Sequence, residues 1–369
     1  MKRISLLLIT LFLFTTVKGQ ILISIPRTDK DTAYITDFYK KHLIIRAYES
    51  TKFNNYKLID GHNQLIYKPN DHNNLGLGFN YRFISLNLGF YDPGLDKNTG
   101  IYGRTHDFDL QTHLYVHKFI IDVYGAFYHG YYLSNTGAAI TNYNDHVMLR
   151  PDISTGNITL EFQYVFNDQH FSYNAPFYQN ELQKKSAGSF LLGGGIYHTT
   201  IKGDSALVPS NIVYQDFFHN SGFNNAKNNG IGFNAGYAYT FVIKKVFFIT
   251  AYLSGGCGIN GATLSNTYSN QSDEKAGLEL NLSEKFAGGY NSDKYFIGIT
   301  YTRLVTTDNT TEQGARQEIS TGNFRFTVAK RLRLKKALIP KSELIPGEAI
   351  FPAAFAAQIW LMWKGNTVL

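Results

Sequence analysis

Asp107, Asp109, His113 and Asp122 form the densest group of side chains in this sequence that could pass a proton or ligate a metal ion. Carboxylates beside an imidazole are the usual means of general acid–base hydrolysis and of metal-assisted hydrolysis. Spacing limits what they can do. On one extended strand, at about 3.3 Å per residue, Asp107 and His113 stand roughly 20 Å apart, too far to share a proton or a metal. If the chain reverses at Val116-His117, Tyr115 opposes Lys118, Gln111 opposes Asp122 and Asp109 opposes Tyr124. Asp109 and Asp122 are then diagonal neighbours at about 7–8 Å, close enough to couple through one water. Arg82, Gln111, Tyr124, Glu161, Gln163 and Arg325 occupy the same polar parity of their own strands. Together these ten residues are expected to line a hydrated lumen.

Other chemistry-bearing patterns are sparse. The sequence has no phosphate loop, no HExxH and no nucleophile elbow. Gly193-Gly194-Gly195 and Gly255-Gly256-Cys257-Gly258 lie inside strand patterns with no helix following, which fits close packing or a bend. Ser272 and Lys275 have the Ser-x-x-Lys spacing but none of its companion motifs. A single cysteine, Cys257, excludes an internal disulfide or a paired-cysteine zinc site. No cofactor or metal is expected, and no enzymatic role.

These side chains must be positioned by strands. With 33 Gly, 26 Tyr and 28 Phe against 3 Met and 9 Pro, the composition favours sheet and tight turns. Leu75, Leu77, Phe79 and Tyr81 alternate with Gly76, Gly78, Asn80 and Arg82. The same period of two runs through Ile158, Leu160, Phe162, Tyr164 and Phe166, and again through Ile231, Phe233, Ala235, Tyr237, Tyr239 and Phe241. Twelve strands are expected, near 42–50, 74–82, 85–92, 104–115, 118–131, 156–167, 186–200, 229–243, 246–257, 275–289, 294–305 and 318–331. Connections alternate long and short, starting with a long stretch at 51–73, and 168–185 is an exception that puts a long segment where a tight turn belongs. The polar face carries Gly, Asn, Ser, Thr and Gln rather than the Lys, Glu and Asp of a soluble sandwich. The pattern therefore predicts an all-β fold, an antiparallel up-and-down transmembrane β-barrel of about twelve strands, with long external loops and short periplasmic turns.

Residues 1–19 have the form of a signal peptide, with Lys2 and Arg3 before an apolar core and Val17 and Gly19 before a cleavage point at Gln20. Residues 20–41 are expected to be a periplasmic segment with one short helix over Asp31–Lys41, and 42–331 the barrel. Residues 332–369 are an extension, expected to be unstructured, whose Ala349–Trp363 stretch is apolar but broken by Pro352 and Gln358. Of the formal charge of +7, Lys2, Arg3 and Lys18 leave with the leader, and the tail holds much of the remainder, so nucleic acid is not an expected partner.

The run from Leu75 to Leu86, Leu-Gly-Leu-Gly-Phe-Asn-Tyr-Arg-Phe-Ile-Ser-Leu, preceded by Tyr67-Lys-Pro-Asn70, resembles the opening of the Gram-negative family known as domain of unknown function 4421. Gln183 to Gly194 resembles its middle motif, and the likeness extends over roughly 30–331. The resemblance implies an outer-membrane barrel of unassigned role and carries no functional residues with it. Outer-membrane lipid is the expected partner and small solutes passing through the lumen the leading function, with no oligomeric state specified. A membrane-embedded hydrolase using lumenal carboxylates around Asp109 and Asp122, and a surface-binding protein acting through its external loops, are the two alternatives.

Overall fold

The computed structural model describes residues 30–334 apart from 39–41, 72, 82–83, 92–97, 117, 141–146, 221, 270 and 310–313. The expected leader and residues 335–369 lie outside the described residues, whereas Leu332 and Arg333, expected to begin an unstructured extension, are the end of the last strand and pair with Leu43 and His42. Among the described residues fifteen strands follow one another: β1 (Ile35–Asp37), β2 (His42–Asp60), β3 (Asn63–Lys68), β4 (Asn73–Tyr81), β5 (Ile84–Tyr91), β6 (His106–Val116), β7 (Phe119–Leu133), β8 (Met148–Val165), β9 (Glu181–Gln183), β10 (Ala187–Lys202), β11 (Asn225–Ile243), β12 (Phe247–Asn266), β13 (Gln271–Asn291), β14 (Tyr295–Asn309) and β15 (Ala315–Arg333).

Ten of them close an antiparallel ring in the order β2, β3, β7, β8, β10, β11, β12, β13, β14 and β15, with β15 returning to β2 from Ala315↔Asp60 to Arg333↔His42. Closure pairs backbone donors and acceptors between neighbouring ring strands, as a wall in lipid requires. β4 extends the path of β3 along β2, so the two are halves of one crossing interrupted at 69–72. β5 pairs with β4 and β6 with β7, outside the ring, and no ladder joins β5 to β6 among the described residues. Adding these two flanking strands to the ten gives the twelve of the sequence pattern.

The barrel is inside out relative to a soluble protein. Leu75, Leu77 and Phe79 on β4, Phe190, Leu192 and Ile196 on β10, Ile231 and Phe233 on β11, and Ile297 and Ile299 on β14 all face outward, Phe233 being 79% exposed. Their alternating neighbours, Asn74 and Asn80, Ser189 and Thr199, Asn228 and Asn234, are buried inside. A contiguous apolar exterior of this extent needs a lipid environment.

One glycine decides where the ring closes. At Gly130, φ is 92° and the β7–β8 register shifts between His129 and Tyr131. The carbonyl of Arg104 occupies the space a Cβ would need. The bulge reverses the parity of β7, so Ala126 and Tyr128 face inward before it and Tyr131 and Leu133 after it. Leu133 and Tyr132 then pair with Tyr67 and Lys68 of β3.

Three sequence expectations change, and the content of a fourth segment is filled in. Residues 51–73 are not a long connection, because β2 continues to Asp60 and turns at Gly61-His62 into β3. Where a helix over 31–41 is expected, the described residues 31–38 form a turn and β1, because Ile35, Thr36 and Asp37 pair with Gln183, Leu182 and Glu181 of β9. The exceptional segment 168–185 holds that β9 together with one helical turn, Asn174–Phe177. The β6–β7 hairpin turns one residue later, so Val116 opposes Phe119 and every pairing moves by two positions, which preserves the faces but changes the partners.

A charge placed on the outer face at mid-height of β11 should be costly. Phe233→Arg is expected to destabilise the barrel by up to about 4 kcal/mol in bilayers. Retention of a compact, heat-modifiable gel band across a urea series measures the loss, with an equally polar change at inward Asn234 as the control.

Candidate functional site

The interior is layered along the barrel axis. At the long-loop end, inward residues of many strands, among them Tyr56, Leu58, Tyr67, Leu133, Ile201, Ala226, Leu264 and Ala315, join one apolar cluster with Leu207, Phe217, Phe218 and Phe223 of the 203–224 loop. Tyr67 donates its hydroxyl to the Leu207 carbonyl at 2.6 Å, and Asp60 Oδ2 accepts from the Phe218 N–H at 2.8 Å. This loop folds over the mouth because its aromatic side chains complete a core that the strand ends leave open.

At the short-turn end the 166–186 segment does the same. Phe171 and Tyr173 pack with Ile120, Val165, Leu191, Ala238 and Tyr252 from the wall. Its backbone is held by polar side chains of inward strand positions. Arg331 donates to the Gln179 carbonyl at 2.7 Å, Asn80 to the Tyr178 carbonyl at 2.7 Å and Asn291 to the Glu181 carbonyl at 3.2 Å. Arg46 bridges the Gln179 side chain at 3.0 Å and Asn80 at 2.7 Å. Arginine suits this task because its fork can reach several carbonyls from one fixed position. Burial drives the Tyr173 and Tyr178 phenols above their ordinary range, outweighing the opposing pull of the Lys285 ammonium, so both stay neutral.

Between these ends lies a polar layer. Its centre is Lys285 of β13, whose ammonium donates to Asp122 Oδ2 of β7 at 2.7 Å and to the Tyr173 hydroxyl at 2.6 Å. β7 and β13 stand diametrically opposite in the ten-strand ring, so this ion pair spans the bore. Both side chains are about 4% exposed or less. Tyr252 offers its ring face 5.2 Å from the ammonium, and the Tyr124 hydroxyl donates to Asp122 at 3.2 Å. Further side-chain bonds fill the layer: Gln163 to Tyr252 at 2.5 Å and Asn54 to Thr155 at 2.8 Å across the lumen, and Thr321 to Asn54 at 2.8 Å between the neighbouring strands β15 and β2.

The ten residues chosen from sequence fall into separate groups. Asp122, Tyr124, Glu161 and Gln163 surround or adjoin Lys285, with Glu161 accepting from the Tyr197 hydroxyl at 3.2 Å. Asp107 and Asp109 lie with Lys52, whose Nζ is 3.9 and 3.6 Å from their carboxylates. Arg325 lies over the Tyr48 ring at 4.7 Å. Gln111 and His113 are described by backbone register alone, opposite Tyr124 and Asp122, and Arg82 lies outside the described residues. The expected Asp109–Asp122 pairing does not form, because Asp109 opposes Ala126 and the two positions are four residues apart in register, about 13 Å.

Lys285, Lys52, Arg46, Arg331 and Tyr173 were not chosen from sequence. A signal existed for the first, because Leu278, Leu280 and Leu282 alternate with Glu279, Asn281, Ser283 and Lys285. Nothing in the sequence could pair Lys285 with a residue more than 160 positions away.

Removing one partner of the bore-spanning pair should cost more than removing both. Lys285→Ala strands a buried carboxylate and is expected to lose about 3–5 kcal/mol, whereas Lys285→Met with Asp122→Leu is expected to recover most of it. Urea midpoints of the detergent-solubilised variants test the difference, and equal losses would contradict the coupling.

Weak likenesses to solved barrels accompany this geometry. The outer membrane protease OmpT of Escherichia coli matches at 10% identity over 80% of this chain and 99% of that one, with a TM-score of 0.36. Ail, the attachment invasion locus protein of Yersinia pestis, matches at 9% identity over 78% and 98%, with a TM-score of 0.23. The toluene transporter TodX of P. putida matches at 10% over 80% and 91%, with a TM-score of 0.23. At these values no activity transfers. A search of curated proteins gives no match. The model of one family, Domain of unknown function (DUF4421), matches residues 29–331, nearly the whole described barrel, and this chain belongs to that family.

Proposed function

We propose that this protein is exported by its cleaved leader, spans the bacterial outer membrane, and serves there as a structural barrel whose resting bore is closed to small solutes. The apolar exterior supports the membrane assignment, with lipid as the partner of that surface. The observation that carries the closed state is the Lys285–Asp122 ion pair at 2.7 Å between opposite walls, with the Tyr173 hydroxyl of the 166–186 segment bound to the same ammonium. A solute crossing the lumen would have to break a buried ion pair and displace both end layers. That favours a wall element over the open passive pore of the sequence reading. The hydrolase alternative loses its support with the separation of Asp109 from Asp122, and each of these carboxylates faces a lysine instead.

Planar-bilayer recording of the purified full-length protein is expected to show no steady conductance at physiological salt, and liposomes carrying it should exclude monosaccharides. Steady ohmic conductance of the unmodified protein would overturn the closed-bore reading.

A further inference from the structure

The two rims of the barrel differ in charge. At the short-turn ends of β11 to β15 the described residues include Lys244, Lys245, Lys294, Lys330 and Arg333, all exposed, against one acid, Asp293. Arg331 is there too, but it is buried and donates to the Gln179 carbonyl. The long-loop ends of the same strands carry both signs, with Lys227, Lys275 and Arg316 set against Asp273, Glu274 and Glu318. Among the described residues, no ion pair or hydrogen bond holds the side chain of Lys244, Lys245, Lys294 or Lys330. Backbone bonds place these four in one row. The Asn291 N–H donates to the Val246 carbonyl at 2.7 Å and the Arg331 N–H to the Lys294 carbonyl at 2.8 Å, so the β11–β12 turn, the β13–β14 turn and the end of β15 form a continuous rim. At about 4.8 Å per strand, the row from Lys245 to Lys330 spans roughly 15 Å.

Lipid-facing aromatic rings lie beside this row. Phe247 and Tyr295 are exposed on the outer face, and Phe247 meets Tyr290 edge-on at 5.5 Å. Lys330 opposes Tyr295 directly and has the outward parity of Phe326 and Val328, with its ammonium 6.0 Å from the centre of the Tyr295 ring. Rings of this kind sit at headgroup depth, so an ammonium beside one is level with lipid phosphates. The turn itself adds a second observation. Lys244 and Lys245 are its two central residues, closed by the Val246 N–H on the Ile243 carbonyl, and their φ angles are 51° and 63°. Both positions of such a hairpin turn need left-handed backbone, which asparagine and glycine adopt at least cost. Lysine is a poor choice for the turn as a turn, and neither exposed side chain makes a contact within the barrel that would account for it.

We propose that Lys244, Lys245, Lys294 and Lys330 form a docking rim for the phosphodiester headgroups of anionic phospholipid, in the leaflet that the short turns face. The proposal rests on the membrane assignment above and goes beyond it, because an apolar wall asks only for lipid tails whereas this rim selects headgroup charge. Lysines close to an anionic lipid surface each add to its attraction, and the effect fades within about 10 Å at 0.1 M salt. Cations on the outer rim are therefore the ones that act. A zwitterionic headgroup carries its own cation beside the phosphate and returns less to an ammonium. The charge of Asp293 acts on Arg331 and His42, at the inner side of the same rim. Bound in this way, the rim would fix the depth at which this side of the barrel sits.

The test uses the full-length protein refolded into phosphatidylcholine vesicles carrying a trace of spin-labelled phosphatidylglycerol or spin-labelled phosphatidylcholine. Electron spin resonance is expected to show the anionic label held by the wild-type protein about threefold or more over the neutral one at 0.1 M salt, falling toward parity at about 1 M. Lys244→Asn with Lys245→Gly supplies the pair that the turn favours. The heat-modifiable band of that variant is expected to survive to an equal or higher temperature while its preference for the anionic label drops. Adding Lys294→Gln and Lys330→Gln should remove the preference. Lys275→Gln with Arg316→Gln, the same loss of charge at the opposite rim, should leave it in place. Equal retention of the two labels by the wild-type protein, a preference unchanged in the fourfold variant, or an equal loss in the long-loop control would overturn the proposal. Failure to hold either label would overturn the membrane assignment along with it, a result distinct from loss of selectivity alone.

Discussion

A lysine ammonium and an aspartate carboxylate, 2.7 Å apart and carried by opposite walls, set the character of this barrel. Neither charge could be buried alone, because desolvation would outweigh anything the surrounding polar groups return. Paired, they draw the wall in on itself and collect phenols around them: Tyr124 and Tyr173 by hydrogen bonds and Tyr252 by its ring face. A ring held across its diameter in this way has little room for solvent at that level, and the remaining polar side chains pack into the same plane rather than line a channel.

The two ends follow from that constraint. A polar middle layer leaves the strand ends to bury apolar surface, and each end does so with a segment from a connection between strands. The 203–224 loop contributes Phe217 and Phe218 to the long-loop mouth, while the 166–186 segment contributes Phe171 and Tyr173 to the short-turn mouth. The two attachments differ in kind. The first is chiefly aromatic packing with a few hydrogen bonds. The second adds a set of side-chain donors, Arg331, Asn80 and Asn291, that hold backbone carbonyls in place of a continuous ladder. β1 pairs with the same segment, so residues before the barrel help hold it.

Much of this was legible along the chain, and the misses are instructive. Ile158, Leu160, Phe162 and Tyr164 declare their face without any tertiary information, because the side-chain period of a strand is two and only lipid tolerates the apolar half outward. The long segment at 168–185 was equally visible as a violation of the loop alternation. Its content was not, since three-residue strands such as β1 and β9 carry no period and form only because each finds the other. The β6–β7 register was misjudged by two because both registers keep Asp109 and Asp122 on the inner face. Parity is readable from sequence, whereas the turn residue that fixes register is decided by the geometry of the whole hairpin.

The sequence by itself determined the class of fold, the sidedness of nearly every strand residue and the lipid-facing surface, because alternation is a local property repeated on each strand. Tertiary structure alone decided which inward charges meet. Lys285 finds Asp122 through the closure and stagger of the ring. Ring closure depends in turn on a bulge at Gly130 that reverses the parity of one strand. Charges dozens to hundreds of residues apart are brought within a few ångströms by that closure, and no periodicity in the chain encodes such a distance.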